Sequence, residues 1–178
     1  MKNIWFLRMD KNILEGQELN RDKEYIHSIH GTCGDKELAL RYANLIFPEK
    51  SISDQELSEK VMSIKKELIE KGLIDENQQG KRRCDVAIRY WVSVMQAGDI
   101  AFVRTRYNDV FLCEVTGYVS ESFFKEHGCF QRPVKILQNI TENDVHEYVW
   151  RRTQGRKTIE RNAKRSVADL VTKYLGIV

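Results

Sequence analysis

Residues 100–117, IAFVRTRYNDVFLCEVTG, constrain the fold more than any other stretch. Two apolar runs flank RYND, in which Asn108-Asp109 supplies turn chemistry. In the second run Phe111, Cys113 and Val115 alternate with Leu112, Glu114 and Thr116 until Gly117 breaks the pattern. A period of two is strand geometry, so the stretch predicts a β-hairpin. A lone hairpin is at best marginal in water and needs further strands or a helix layer. FQRPVKILQNI (130–140) reads as a third strand, with Pro133 marking an edge or a bulge because proline brings no N–H to a ladder. NIWFLR (3–8) is another short apolar strand, and EYIHSI is a small extended piece within an otherwise polar 9–34.

Helical spacing appears between and after these runs. DKELALRYANLIF starts at a capping Asp35 and stops at Pro48, and Leu38, Tyr42, Leu45 and Ile46 recur at its helical period. SDQELSEKVMSIKKELIEKG has a capping box in Ser53 and Glu56, a stripe of Leu57, Val61, Ile64 and Leu68, and Gly72 after its last turn. From Asp85 to Met95, Ala87, Tyr90, Trp91, Val94 and Met95 share one helical face, which Gly98 ends. TENDVHEYVWRR reads as a short helix capped by Thr141, and beyond Gly155 the run KTIERNAKRSVADLVTKYL reads as a basic helix. Strands cluster instead of alternating with helices, so the fold class is α+β: a small, mostly antiparallel sheet or barrel with helices against it.

At 178 residues the chain fits one domain or one domain with additions. Hydrophobic residues at 42% and charged residues at 31% are ordinary globular usage and argue against disorder or fibre. No apolar run approaches the roughly 18 residues of a membrane span. The opening MKNIWFLRMDKN meets charge at Arg8 and lacks a small-residue cleavage site, so a cytoplasmic protein is expected. Cys33, Cys84, Cys113 and Cys129 include no CxxC pair and read as reduced thiols. HSIHGTC has no second ligand pair to complete a zinc site, so no metal and no cofactor are expected.

Catalytic motifs are missing: there is no P-loop, GxGxxG, HExxH or GxSxG. Asp109 and Glu114 imitate the paired acids of a metal-dependent nuclease, but Thr116 stands where such enzymes carry a lysine. A turn residue and a strand ion-pair partner is the simpler reading, and the chain is expected not to be an enzyme. Net charge is +3 and unevenly spread. Between Arg151 and Arg165 seven basic residues face the single acid Glu160, so the remainder is net acidic. A concentrated basic segment is the footprint of a phosphate backbone, or else a solvated helix face.

Four pieces in order, NIWFLRMD, RYWVSVMQAGDIAFVRT, VFLCEVTGYV and FQRPVKILQNIT, resemble the EVE-like domains of the PUA superfamily. The version at the N-terminus of modification-dependent restriction endonucleases is especially similar. The shared pattern is Trp5 in a first strand and a helical insertion (about 35–72). Met95 and Gly98-Asp99 then lead into a strand, followed by Val115-Thr116-Gly117-Tyr118 and by Gln131-Arg132 with Val134 and Leu137. The resemblance implies a curved β-barrel flanked by helices over 1–150, with 151–178 as a basic helical extension. It also implies a non-catalytic DNA-binding module of a restriction or defence system. Such a module takes a methylated base into an aromatic pocket, beside a fused or separate nuclease. Trp5 and Trp91 stand at the matching wall positions, with Tyr90 and Tyr107 as further rings. Ser93 stands where relatives often carry an asparagine. Each ring is equally readable as core, since Trp91 shares a face with Val94 and Trp5 lies in a first strand.

Arg104 and Arg106 leave a strand beside the hairpin tip, near the mouth of such a pocket, and Arg132 begins the third strand. Arg151, Arg152, Arg156, Lys157 and Arg161 are candidates to hold phosphates. The alternatives are a PUA-like RNA-binding module, a nuclease using Asp109 and Glu114, and a subunit whose basic helix docks on an acidic protein.

Overall fold

The computed structural model describes residues 3–8, 25–28, 40–41, 44, 53–72, 90–105, 107–127, 130–154, 159–162 and 165–176. Most of the expected 35–47 helix lies outside these residues, although Leu40, Arg41 and Asn44 are helical. Six strands run in the order β2-β5-β4-β3-β1-β6. They are β1 (Ile4–Arg8), β2 (Tyr25–Ser28), β3 (Ile100–Arg104), β4 (Val110–Val115), β5 (Phe130–Ile140) and β6 (Ile159–Asn162). Every neighbouring pair is antiparallel except β1 and β3. Among the described residues no pairing joins β2 to β6, so the sheet is open. The fold is α+β with a mixed sheet, and no helix among the described residues is long and apolar enough to cross a membrane.

The hairpin forms where turn chemistry places it. Thr105 N–H donates to the Asp109 carbonyl (2.8 Å) and Asn108 N–H to the Thr105 carbonyl (3.1 Å). Asn108 takes φ 71°, a left-handed conformation that asparagine tolerates better than most residues. β5 serves two partners, its first four residues pairing with β2 and the rest with β4. Pro133 stands at that change of partner, where its carbonyl still accepts from Thr116 N–H (3.0 Å). The irregularity in the β4–β5 ladder lies elsewhere, where Leu112 faces Gln138 but Cys113 faces Ile136. Leu137 is therefore the extra residue.

Sequence periodicity does not reveal the parallel pair. β1 and β3 align in register, Ile4 with Ile100, Phe6 with Phe102 and Arg8 with Arg104. The phenyl rings of Phe6 and Phe102 stack at 5.6 Å, which rewards this register. A strand buried on both faces reads as a continuous apolar run, and IWFLR, IAFVR and VFLCEV all do.

One face carries Trp5, Leu7, Ala101, Val103, Phe111, Cys113 and Val115. It is covered by the 90–95 turn and by Leu40 and Ile64, the latter from α1 (Asp54–Glu70). Ser53 caps α1 by accepting from Glu56 N–H (3.3 Å), as the capping box predicts. The opposite face carries Ile4, Phe6, Ile100, Phe102, Val110 and Leu112. Above it pack Val149 and Trp150 of α3 (Glu147–Gln154) and Val167 and Val171 of α4 (Arg165–Tyr174). A short α2 (Glu121–His127) precedes β5.

Two expectations need correction. Residues 159–162 are strand, not helix: IERN pairs with β1 from Leu7–Ile159 to Ile4–Asn162. The segment beyond 151 thus adds an edge strand and a core-packing helix to the same sheet. The second concerns 90–94, which forms a π turn in which Met95 N–H donates to the Tyr90 carbonyl (3.0 Å), five residues back. That wider turn buries Val92, which α-helical spacing leaves off the apolar face.

Gly117 is required by a close approach. A Cβ there would lie 2.8 Å from Pro133 Cγ, part of a rigid ring. Gly117→Ala is expected to destabilise the protein by about 1–3 kcal/mol in urea unfolding, with part of the loss recovered by adding Pro133→Ala.

Candidate nucleic-acid interface

The residues singled out from the sequence separate into two groups at opposite ends of the sheet. The first surrounds Asp99, which follows the helix-ending Gly98 (φ 90°) and opens β3. Its carboxylate is 4% exposed and collects donors from three directions. Oδ1 accepts from Asn3 N–H (2.9 Å), and Oδ2 accepts from Trp5 Nε1 (2.9 Å) and Gln96 N–H (3.0 Å). Asn3 Nδ2 reaches both oxygens, at 3.4 and 3.3 Å. Trp5 is 0% and Trp91 2% exposed, so both indoles belong to the core in this packing. Tyr90 is half-buried and meets Trp5 edge-on at 5.4 Å. The backbone of Ser93 lies in the same π turn.

Arg132 completes this group and is not a surface phosphate contact, being 0% exposed. Its Nε donates to the Trp91 carbonyl (2.9 Å) and Nη1 to the Gly117 carbonyl (3.1 Å), while Nη2 has no hydrogen-bond partner. Burial pushes its pKa down to about 10, against the opposing pull of Asp99 and Tyr118, so the group stays charged at neutral pH. Because the folded value lies below that of the free guanidinium, the burial penalty is fully present below about pH 10 and is relieved as pH rises above it. A buried guanidinium with an unused N–H is costly to keep.

The second group lies on the other face, at the far end of β1 and β3. Arg104 is 9% exposed, with its guanidinium 4.0 Å over the Trp150 ring. Its Nη2 donates to Asn108 Oδ1 (2.8 Å). With its amide oxygen turned inward, Gln154 accepts from Arg104 Nη1 (3.3 Å) and Trp150 Nε1 (2.6 Å). Arg8 Nη1 reaches the Gln154 carbonyl at 3.4 Å. Burial first, then the neighbouring Arg8, lower the Arg104 pKa, and Glu142 offsets part of this. Tyr107, at the hairpin tip, is 64% exposed.

Side chains alternate across a sheet, so Arg104 and Trp5 point to opposite faces. The structure therefore brings Arg132, not Arg104, to the tryptophans. Arg152 pairs with Glu160 at 2.6 Å and lies 5.6 Å from the Tyr148 ring, tying α3 to β6. Arg151 pairs with Glu147 on the exposed side of α3. Arg161 is exposed on edge strand β6, opposite Trp5 in register. Arg106, Arg156 and Lys157 lie outside the described residues. Asp109 and Glu114 stand at opposite ends of β4, about 16 Å apart at strand rise, too far to share one cation.

Sequence reasoning missed two residues. Asp99 was visible as an acid between a helix-ending glycine and an apolar strand, a position that needs buried donors. Arg8 was visible in the likeness of NIWFLR and DIAFVR, two runs that end alike and pair in register. No protein-family model matches the chain, and no curated protein or solved structure is detectably similar to it.

Proposed function

We propose that the protein is a non-catalytic DNA-binding specificity module that reads a modified base drawn out of its stack, beside a nuclease domain or subunit in a restriction system. The observation that carries this reading is Arg132, a sealed, charged guanidinium with an unused N–H, held by the backbone carbonyls of Trp91 and Gly117. Guanidinium is the side chain best matched to the carbonyl and ring-nitrogen acceptors of a base edge. A base entering past the exposed Tyr118, next to Gly117, would meet that donor and could lie against Tyr90. Stacking on one ring contributes about 1–3 kcal/mol, and a buried methyl group adds roughly 0.8 kcal/mol. The order of the EVE-like motifs, from Trp5 through Met95 and Gly98-Asp99 to Arg132, supports the same reading.

Fluorescence anisotropy tests it. Labelled duplexes, unmodified or carrying methylcytosine, hydroxymethylcytosine or methyladenine, are compared with an RNA of matching sequence. One modified duplex is expected to bind about tenfold tighter than the unmodified one, and Tyr90→Leu is expected to remove that preference. Equal affinity for every duplex would overturn the modified-base reading, and a preference for RNA would put a PUA-like RNA-binding module in its place.

A further inference from the structure

Of the arginines whose side chains are described, Arg161 alone has a guanidinium with no hydrogen bond or ion pair among the described residues. Arg8, Arg41, Arg104, Arg132, Arg151 and Arg152 are all committed to acceptors or acids of the fold. Arg161 is exposed on β6, which pairs with β1 at the sheet edge. Residues directly opposite across an antiparallel pair point to the same face. Ile159 and Leu7, one such pair, both lie in the cluster that holds Trp5 and Trp91. Arg161, opposite Trp5, therefore leaves the edge on the face that carries Tyr90 and the sealed Arg132. Its neighbour Glu160 points the other way, opposite Phe6, and is held by Arg152. Arg151 belongs to α3, which covers that other face.

We propose that Arg161 holds a backbone phosphate of the DNA strand whose base is read at Arg132. The proposal rests on the modified-base reading above and makes the edge strand beyond 151 part of the reading surface. β5, which carries Arg132, and β6 are four strand spacings apart, at most about 19 Å. The phosphate therefore belongs to a nearby nucleotide and not to the extruded one, and the strand crosses the 90–94 turn toward the sheet edge. A guanidinium without an internal partner gives up no ion pair when it meets a phosphate, and its paired donors match phosphate oxygens. Arg151 and Arg152 would first have to leave Glu147 and Glu160. Phosphate contacts fix position without reading sequence, so Arg161 supplies affinity and Arg132 supplies choice.

The probes are the labelled duplexes above, titrated at several salt concentrations with Arg161→Gln and with Lys135→Gln as control. Lys135 is exposed and opposite Glu114, between residues of the Trp5 face, so it removes the same charge from the other face. Arg161→Gln is expected to weaken every duplex about tenfold and to lower the dependence of log affinity on log salt by about one. The ratio between modified and unmodified duplexes should not change. Arg161→Lys keeps a point charge and should restore the salt dependence. Lys135→Gln is expected to bind within about twofold of the unaltered protein. The Tm of Arg161→Gln should be unchanged, because the side chain has no partner to lose. An equal loss in Lys135→Gln would mean attraction by net charge alone and overturn the proposal. So would a Tm that falls in step with binding, or Arg161→Gln binding within about twofold of the unaltered protein. If Tyr90→Leu still abolished base preference in that last case, the functional reading would stand without this contact. Equal binding of all duplexes with the Arg161 effect intact would overturn the modified-base reading and support the phosphate contact. Failure of the unaltered protein to bind any nucleic acid would overturn both.

Discussion

Replacing Trp5 by alanine is expected to destabilise the protein by about 3–5 kcal/mol, read as a lower urea midpoint at unchanged slope. Three losses combine. The indole is completely buried against Trp91, Met95 and their neighbours, so truncation leaves a cavity that a two-sided sheet cannot close. Its Nε1 is one of the donors that keep the Asp99 carboxylate supplied in the interior. Its edge contact with Tyr90 also disappears. Trp5→Phe restores much of the volume but not the donor, and is expected to cost about 1–3 kcal/mol. Loss of DNA binding in Trp5→Ala would therefore report unfolding, which is why Tyr90 and Tyr107, both partly or largely solvent-facing, are the informative rings to change.

Asp99→Ala is expected to cost a similar 3–5 kcal/mol by a different route. Removing the carboxylate leaves Asn3 N–H, Gln96 N–H and the Trp5 indole without their acceptor, and removes the negative charge that supports buried Arg132. Asp99→Asn tests the chemistry at constant shape. Both carboxylate oxygens accept, so an amide must point its NH2 at donors on one side, and most of the penalty should remain. Because Asp99 and Arg132 interact, the double variant Asp99→Ala/Arg132→Met is expected to lose less than the two single losses together. Chemical denaturation of the four proteins measures that coupling, and strict additivity would mean that the two charges do not sense each other.

These residues also mark the limits of sequence reading. The hairpin, the Ser53 cap and the α+β class depend on interactions within a few residues, so turn chemistry, capping and alternation were enough to find them. The strand at 159–162 was not visible. IERN buries Ile159 and Asn162 while Arg161 stays exposed, and four residues inside a basic run carry too little pattern to outweigh the apparent helical spacing around them. The π turn escaped for a related reason, because one wider turn shifts which residues face the core without changing composition.

The candidate site was legible in part. Trp5, Tyr90, Trp91 and Arg132 come together, whereas Arg104 and Tyr107 stand at the other end of the sheet with Arg8 and Trp150. Residue type alone could not say that Arg132 is buried, because an arginine that begins a strand is ordinarily a surface group. Only the meeting of β5 with the 90–95 turn and Gly117 encloses it.

Local physics in the sequence thus determined the Ser53-capped helix, the α+β class and where the hairpin turns. The tertiary structure alone decided that β1 lies parallel to β3 across more than ninety intervening residues, which arginine is sealed and which is paired. Those outcomes depend on hydrogen bonds and desolvation between segments distant in sequence, and no window along the chain contains both partners.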